Sequence, residues 1–115
     1  MKIALTTPYL GGGGAERVAA SLAGGWSERG HDVTIVTLGA TEPTDYPLPP
    51  DVGRISLGLT GHSNSRLSGV LANLQRLRAL RKALGSLRPD VTLGLTTEMA
   101  ILTLVVARQV PMTVI

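Results

Sequence analysis

Residues 2–18 read KIALTTPYLGGGGAERV, and the change of period inside them decides the fold. The first five, KIALT, are a short β-branched and apolar run that Pro8 and the glycines close, which is the pattern of a buried strand. From Ala15 onward Val18, Ala19, Leu22, Ala23 and Trp26 recur at helical intervals, and Gly30 stands where a helix C-cap belongs. Gly11, Gly12, Gly13 and Gly14 therefore occupy a strand-to-helix turn. Four glycines in succession carry a heavy conformational-entropy cost on folding. Something at this turn must offset that cost.

The same alternation continues along the chain. HDVTIVTL (31–38) reads as a second, largely buried strand. A polar, proline-rich loop, GATEPTDYPLPPDVG (39–53), follows without periodicity, and RISLGL (54–59) is a weaker third strand. After a turn-rich connector (60–65), whose Ser65 suits an N-cap, a helix spans 66–87 and stops before Pro89. Its apolar stripe is Leu67, Val70, Leu71, Leu74, Leu77, Leu84 and Leu87. DVTLGL (90–95) is a fourth strand, EMAILTLVVARQV (98–110) a helix by its length and Pro111 stop, and MTVI (112–115) the start of a fifth strand. Strands alternating with helices predict an α/β fold: a doubly wound, mainly parallel sheet with helices on both faces. A strand with no turn or polar tail after it reads as part of a longer polypeptide.

Composition narrows the function classes. A chain of 115 residues supports one domain with a real core. At 43% hydrophobic and 17% charged it is neither disordered nor fibrous. Cysteine is absent, which excludes disulfides and thiolate metal sites and fits a reducing, cytoplasmic setting. No apolar run reaches the roughly 18 residues of a membrane-spanning helix. The net charge of +3 suits a phosphorylated ligand or an anionic surface. Aromatic residues make up only 3% of the chain, too few for a base-stacking surface, so nucleic acid is not an expected partner.

In a doubly wound sheet the first strand-to-helix turn lies at the carboxyl end of the strand, beside the crevice where ligands bind. Glycines there let backbone N–H groups approach a ligand closely, and the helix N-terminus adds orphan donors that favour phosphate. Two phosphate motifs fail on their second element. A Walker loop needs Gly-Lys-Ser/Thr, where Glu16 and Arg17 stand. A dinucleotide fingerprint needs a small residue at Glu16 and an acid ending the second strand, and TIVTLGA offers none.

With those motifs excluded, MKIALTTPYLGGGGAERVAASLAGGWSERGHDVTIVT resembles the N-terminus of the family-4 retaining glycosyltransferases, enzymes of the two-domain GT-B fold. The resemblance rests on the lysine-led strand, the glycine turn, the Ala15-Glu16-Arg17-Val18 helix start and the Arg29-Gly30-His31-Asp32-Val33-Thr34 second strand. LRPDVTLGLTTEMAILTLVVARQVPMTVI resembles the family's Pro-Asp-Val strand, helix and Pro-hydrophobic strand. The resemblance implies a Rossmann-like acceptor-side domain over 1–115, the N-terminal half of a GT-B fold whose C-terminal, donor-binding domain lies outside this sequence. It implies that the glycine turn faces the diphosphate of a nucleotide-sugar donor, that the acceptor is a glycan or lipid-linked glycan, and that neither metal nor cofactor is needed. Catalytic residues remain unknown. The competing classes are a nicotinamide-dependent oxidoreductase domain and a non-catalytic nucleotide-binding or regulatory module.

Further candidates lie along the same sheet edge. Thr7 and Tyr9 precede the turn and suit an acceptor pocket. Glu16 and Arg17 lie in the helix's first turn; the glutamate also favours the helix dipole, and the arginine opposes it. Thr96, Thr97 and Glu98 follow the fourth strand and suit sugar hydroxyls or helix capping alike. His31 reads as structural, at the opposite end of the sheet, and His62 lies in a loop. Trp26 suits the core or a domain interface. The long helix is strongly basic. Arg76 and Lys82 are expected to point away from the leucine stripe, with Arg78 and Arg81 near its edge. A solvated face is one reading; peripheral contact with anionic lipid, or with the diphosphate of a lipid-linked acceptor, is the other.

Overall fold

In a computed structural model the described residues are 1–11, 14–39, 46–59, 66–108 and 113–114, with the side chains of 66–73 and 113 outside the description. The expected alternation is present: β1 (Lys2–Thr7), α1 (Gly14–Glu28), β2 (Asp32–Thr37), β3 (Gly53–Ser56), α2 (Arg66–Leu87), β4 (Val91–Gly94), α3 (Thr97–Val106) and β5 (Thr113–Val114). The five strands form one sheet in the order β3-β2-β1-β4-β5, and every pairing is parallel. Parallel strands buried on both faces explain why β1 and β2 read as continuous apolar or threonine runs.

Side-chain alternation along the strands builds two cores. Ile3 and Leu5 of β1 and Val33 and Ile35 of β2 meet Ala19 and Ala23 of α1 on one face. Ala4, Val36 and Leu38 meet Leu80, Ala83 and Leu84 of α2 and Met99, Leu102 and Val106 of α3 on the other. Trp26 packs, partly buried, against the first cluster. Leu80, absent from the expected stripe, is fully buried, whereas Leu74 is 47% exposed. Among the described side chains of α2, Leu80, Ala83 and Leu84 seat in the core and Leu77 and Leu87 pack against it, while the expected Leu67, Val70 and Leu71 lie outside the described side chains.

Local chemistry fixes the element ends. α1 closes in a Schellman motif: Gly30 takes φ +88°, its N–H donates to the Ser27 carbonyl, and the His31 N–H donates to that of Trp26. The Lys2 N–H donates to Asp90 Oδ2 at 2.8 Å, and the Asp90 N–H returns to the Lys2 carbonyl at 2.8 Å, setting the β1–β4 register.

A buried hydroxyl pair ties β1 to α3. Thr103 Oγ1 donates to the Met99 carbonyl at 2.6 Å, which leaves its oxygen to accept from Thr6 Oγ1 at 3.0 Å. Both threonines are fully buried. Thr103→Val is expected to lower stability by about 1 kcal/mol, the usual net value of such a bond, as a shift in the urea midpoint at constant m-value. Thr6→Val should cost less than adding it to Thr103→Val would suggest, because the two share one bond.

Candidate functional site

The strand order reverses at β1: the chain leaves it through α1 toward β2, and returns across the sheet to β4 on its other side. The crevice of a doubly wound sheet opens beyond the carboxyl ends of such strands. Here those ends are joined. The Leu95 N–H extends the ladder by donating to the Thr6 carbonyl at 2.9 Å, and the Leu38 N–H donates to that of Thr7 at 3.3 Å. Two helices begin at this edge, α1 at Gly14 and α3 at Thr97.

The turn after β1 is held rather than loose. Leu10 is fully buried in the α1-side core, and its carbonyl accepts the Tyr46 N–H at 2.9 Å. Thr7 is fully buried and its hydroxyl donates to the Tyr9 carbonyl at 3.1 Å, so it shapes the turn instead of lining a pocket. Tyr9 is 52% exposed, and a Cβ at Gly39 would stand 2.6 Å from its ring, so the ring lies on the bare backbone of that glycine. The Gly39 N–H in turn donates to the Pro8 carbonyl at 2.9 Å.

Of the four glycines, Gly11 and Gly14 are described, and Gly12 and Gly13 lie outside the described residues. Gly14 opens α1. A Cβ built there meets nothing within 4 Å among the described residues, and its φ is not in the left-handed region. Neither packing nor backbone conformation within the described structure requires glycine at this position. Glu16 is half-buried in the same turn; Arg17 is exposed and lines a shallow groove of about 570 Å³ that α1 forms with the segment 46–49.

At β4 the arrangement differs. Gly94 ends the strand directly beneath α3, and a Cβ there would stand 2.7 Å from the Ala100 Cα. Thr96 takes φ +80°, a strained conformation for a β-branched residue, and its hydroxyl caps α3 by accepting the Met99 N–H at 3.4 Å. Thr97 and Glu98 are exposed at the helix start. The Glu98 carboxylate takes an ion pair from Arg76 of α2 at 3.4 Å, so Arg76 is directed to α3 rather than away from the stripe. Arg78, Arg81 and Lys82 are exposed. His62 and the expected Ser65 cap lie outside the described residues.

The structure thus brings Tyr9, Gly11, Gly14, Glu16, Thr96, Thr97 and Glu98 to one edge, and buries Thr7 beneath it. Sequence reasoning missed Gly39 and Gly94. Each is a lone glycine at the carboxyl end of a strand, a pattern that signals close backbone approach. It also missed the Arg76–Glu98 pair, which depends on how α2 crosses α3 and leaves no trace in spacing. Among the described residues no group of three or more His, Cys, Asp or Glu side chains is placed to hold a metal ion, and no helix is long and apolar enough to cross a membrane.

The family model described as "Glycosyl transferase 4-like domain" matches residues 13–115. No curated protein matches the sequence. Among solved structures, sucrose-phosphate synthase from Thermosynechococcus elongatus superposes with a TM-score of 0.73 at 15% identity, a likeness of fold. That superposition covers 97% of this chain and 31% of the synthase chain. The present chain thus spans about a third of that structure's length.

Proposed function

Because the chain belongs to the glycosyl transferase 4-like family, we propose that it is the N-terminal, acceptor-side domain of a retaining glycosyltransferase that moves a sugar from a nucleotide-diphosphate donor to a glycan or lipid-linked acceptor. The observation that carries this reading is the open glycine at the start of α1. Among the described residues nothing packs against Gly14, which opens a helix N-terminus on the crevice edge. A ligand approaching the backbone supplies a reason for the glycine. The orphan N–H groups of that first turn and the positive end of the α1 dipole suit the donor's diphosphate.

The chemistry follows from that placement. Transfer breaks the bond between the sugar's anomeric carbon and the diphosphate oxygen, and forms one from the same carbon to an acceptor hydroxyl, whose proton passes to the departing diphosphate. Negative charge grows on the departing diphosphate. Fixed backbone dipoles aimed at it stabilise that charge without reorganising, so the reaction needs no metal. In this reading a second domain, supplied by the rest of the polypeptide, holds the nucleotide and sugar. The domain alone then lacks turnover.

Tyr9 serves the acceptor. Its ring is half exposed beside the glycine turn, on the flat surface that Gly39 leaves. Such a ring face suits stacking against a sugar, with Glu98 and Thr97 offering polar contacts across the crevice. Tyr9→Ala in the intact enzyme is expected to raise the acceptor KM about three- to tenfold, the worth of one aromatic contact, with kcat nearly unchanged and Tyr9→Phe close to wild type. Gly39→Ala should act in the same direction by displacing the ring. An unchanged acceptor KM in both would remove Tyr9 from the pocket.

A nicotinamide-dependent oxidoreductase is the rival class. Titration with reduced nicotinamide nucleotide separates the two: a fluorescence change at micromolar protein would favour the rival, and the transferase reading expects none.

A further inference from the structure

The groove between α1 and the segment 46–49 has a volume of about 570 Å³, within the range of small-molecule sites. On the α1 side it is lined by Ser21, Gly24 and Gly25 among others. A Cβ at Gly25 would meet nothing within 4 Å among the described residues, and one at Gly24 would meet only Pro49 Cγ at 3.6 Å, an ordinary contact. Glycine inside a helix is destabilising relative to alanine, and packing among the described residues requires neither of these two. On the other side Leu48 packs against the core and holds the segment, while its neighbours Pro47 and Pro49 are exposed and line the groove with Tyr46. The two charged residues of the groove are set against the helix. Arg17 lies in the first turn of α1, at the positive end of its dipole, and Glu28 closes the last turn, at the negative end. Both are exposed, about 16 Å apart along the helix axis. Helix stability accounts for neither.

Ring side chains along one wall, bare backbone along the other and one charge of each sign suit a flat, neutral ligand rich in hydroxyls. Its C–H faces can lie on Tyr46 and the prolines, while its hydroxyls donate to Glu28 and accept from Arg17. An anion would meet Glu28, and a cation would meet Arg17. The groove also begins beside the crevice. The Tyr46 N–H donates to the Leu10 carbonyl of the turn after β1, and Arg17 is within one turn of Gly14. From this juxtaposition we infer that the groove along α1 holds the trailing sugar units of an oligosaccharide whose end unit occupies the crevice. The inference rests on the transferase reading and adds that the acceptor is an extended, uncharged glycan.

The test is binding of the full-length protein to immobilised neutral oligosaccharides of hexose and N-acetylhexosamine series, each from monosaccharide to hexasaccharide. At least one series is expected to bind, with an affinity that rises with chain length and changes little with salt. Gly25→Gln should weaken binding of the long members at least about tenfold, because the new side chain obstructs the groove. Its melting temperature should equal or exceed that of wild type, since glutamine is the better helix former. Tyr46→Ala should weaken the same members about three- to tenfold, the worth of one ring contact. Gly14→Val, directed at the donor's diphosphate, should leave this binding unchanged. A protein that binds the long members through the groove but transfers no sugar would therefore defeat the transferase reading alone. Binding to no series, affinity independent of chain length, or affinity indifferent to Gly25→Gln would each overturn the inference, whether the groove stays empty or another part of the polypeptide covers it.

Discussion

Gly94→Val is expected to lower stability by about 3 kcal/mol or more, the upper range for overpacking. The new Cβ would stand 2.7 Å from the Ala100 Cα, 3.0 Å from its nitrogen and 3.2 Å from the Met99 carbonyl carbon. All three are backbone atoms of α3, so no rotamer change relieves the contact. The helix must move off the sheet as a body. That movement would draw Met99, Leu102 and Val106 from the core and part Thr103 from Thr6. Urea denaturation followed by circular dichroism measures the loss. Gly25→Ala is the control: a Cβ there meets nothing within 4 Å, and in a helix the exchange should stabilise by roughly 0.5–1 kcal/mol. Wild-type stability in Gly94→Val would mean that α3 does not rest on the end of β4.

Gly14→Val carries the opposite signature. Among the described residues nothing stands within 4 Å of the added Cβ, so stability is expected to stay within about 0.5 kcal/mol of wild type, as for an ordinary surface change. Transfer by the intact enzyme is expected to fall about a hundredfold or more, the scale seen when an oriented backbone donor is lost from a charge-stabilising site. The loss should appear in kcat, with a smaller change in donor KM, because the leaving diphosphate gains charge only in the transition state. Gly13→Val, at a position outside the described residues, is expected to share that loss. A Gly14→Val enzyme with normal kinetics would detach the helix start from the mechanism.

The two glycines show how far the sequence reaches. KIALT, HDVTIVTL and the 66–87 helix were legible because their periods are strong and their ends carry Gly30, Pro89 and Asp90, each with a local stereochemical role. Doubly wound topology followed from alternation alone, and the glycine turn fell at its expected edge. What escaped depends on contacts between segments far apart in the chain. Leu80 is in the core and Leu74 is not, which depends on how α2 lies against β1, β2 and α3. Thr7, two residues from the exposed Tyr9, is buried, because both faces of β1 are covered and its hydroxyl finds the Tyr9 carbonyl. Gly94 and Gly39 make room for a helix and a ring that lie close in space but not always in sequence.

The account rests on the main-chain N–H groups at the start of α1 receiving the donor's diphosphate. A crystal structure of the intact enzyme with a nucleotide-diphosphate sugar tests it most directly. The expected result places diphosphate oxygens at hydrogen-bond distance, about 3 Å, from backbone nitrogens within residues 11–14. A diphosphate held wholly by another loop, with Gly14 facing only solvent, would contradict it.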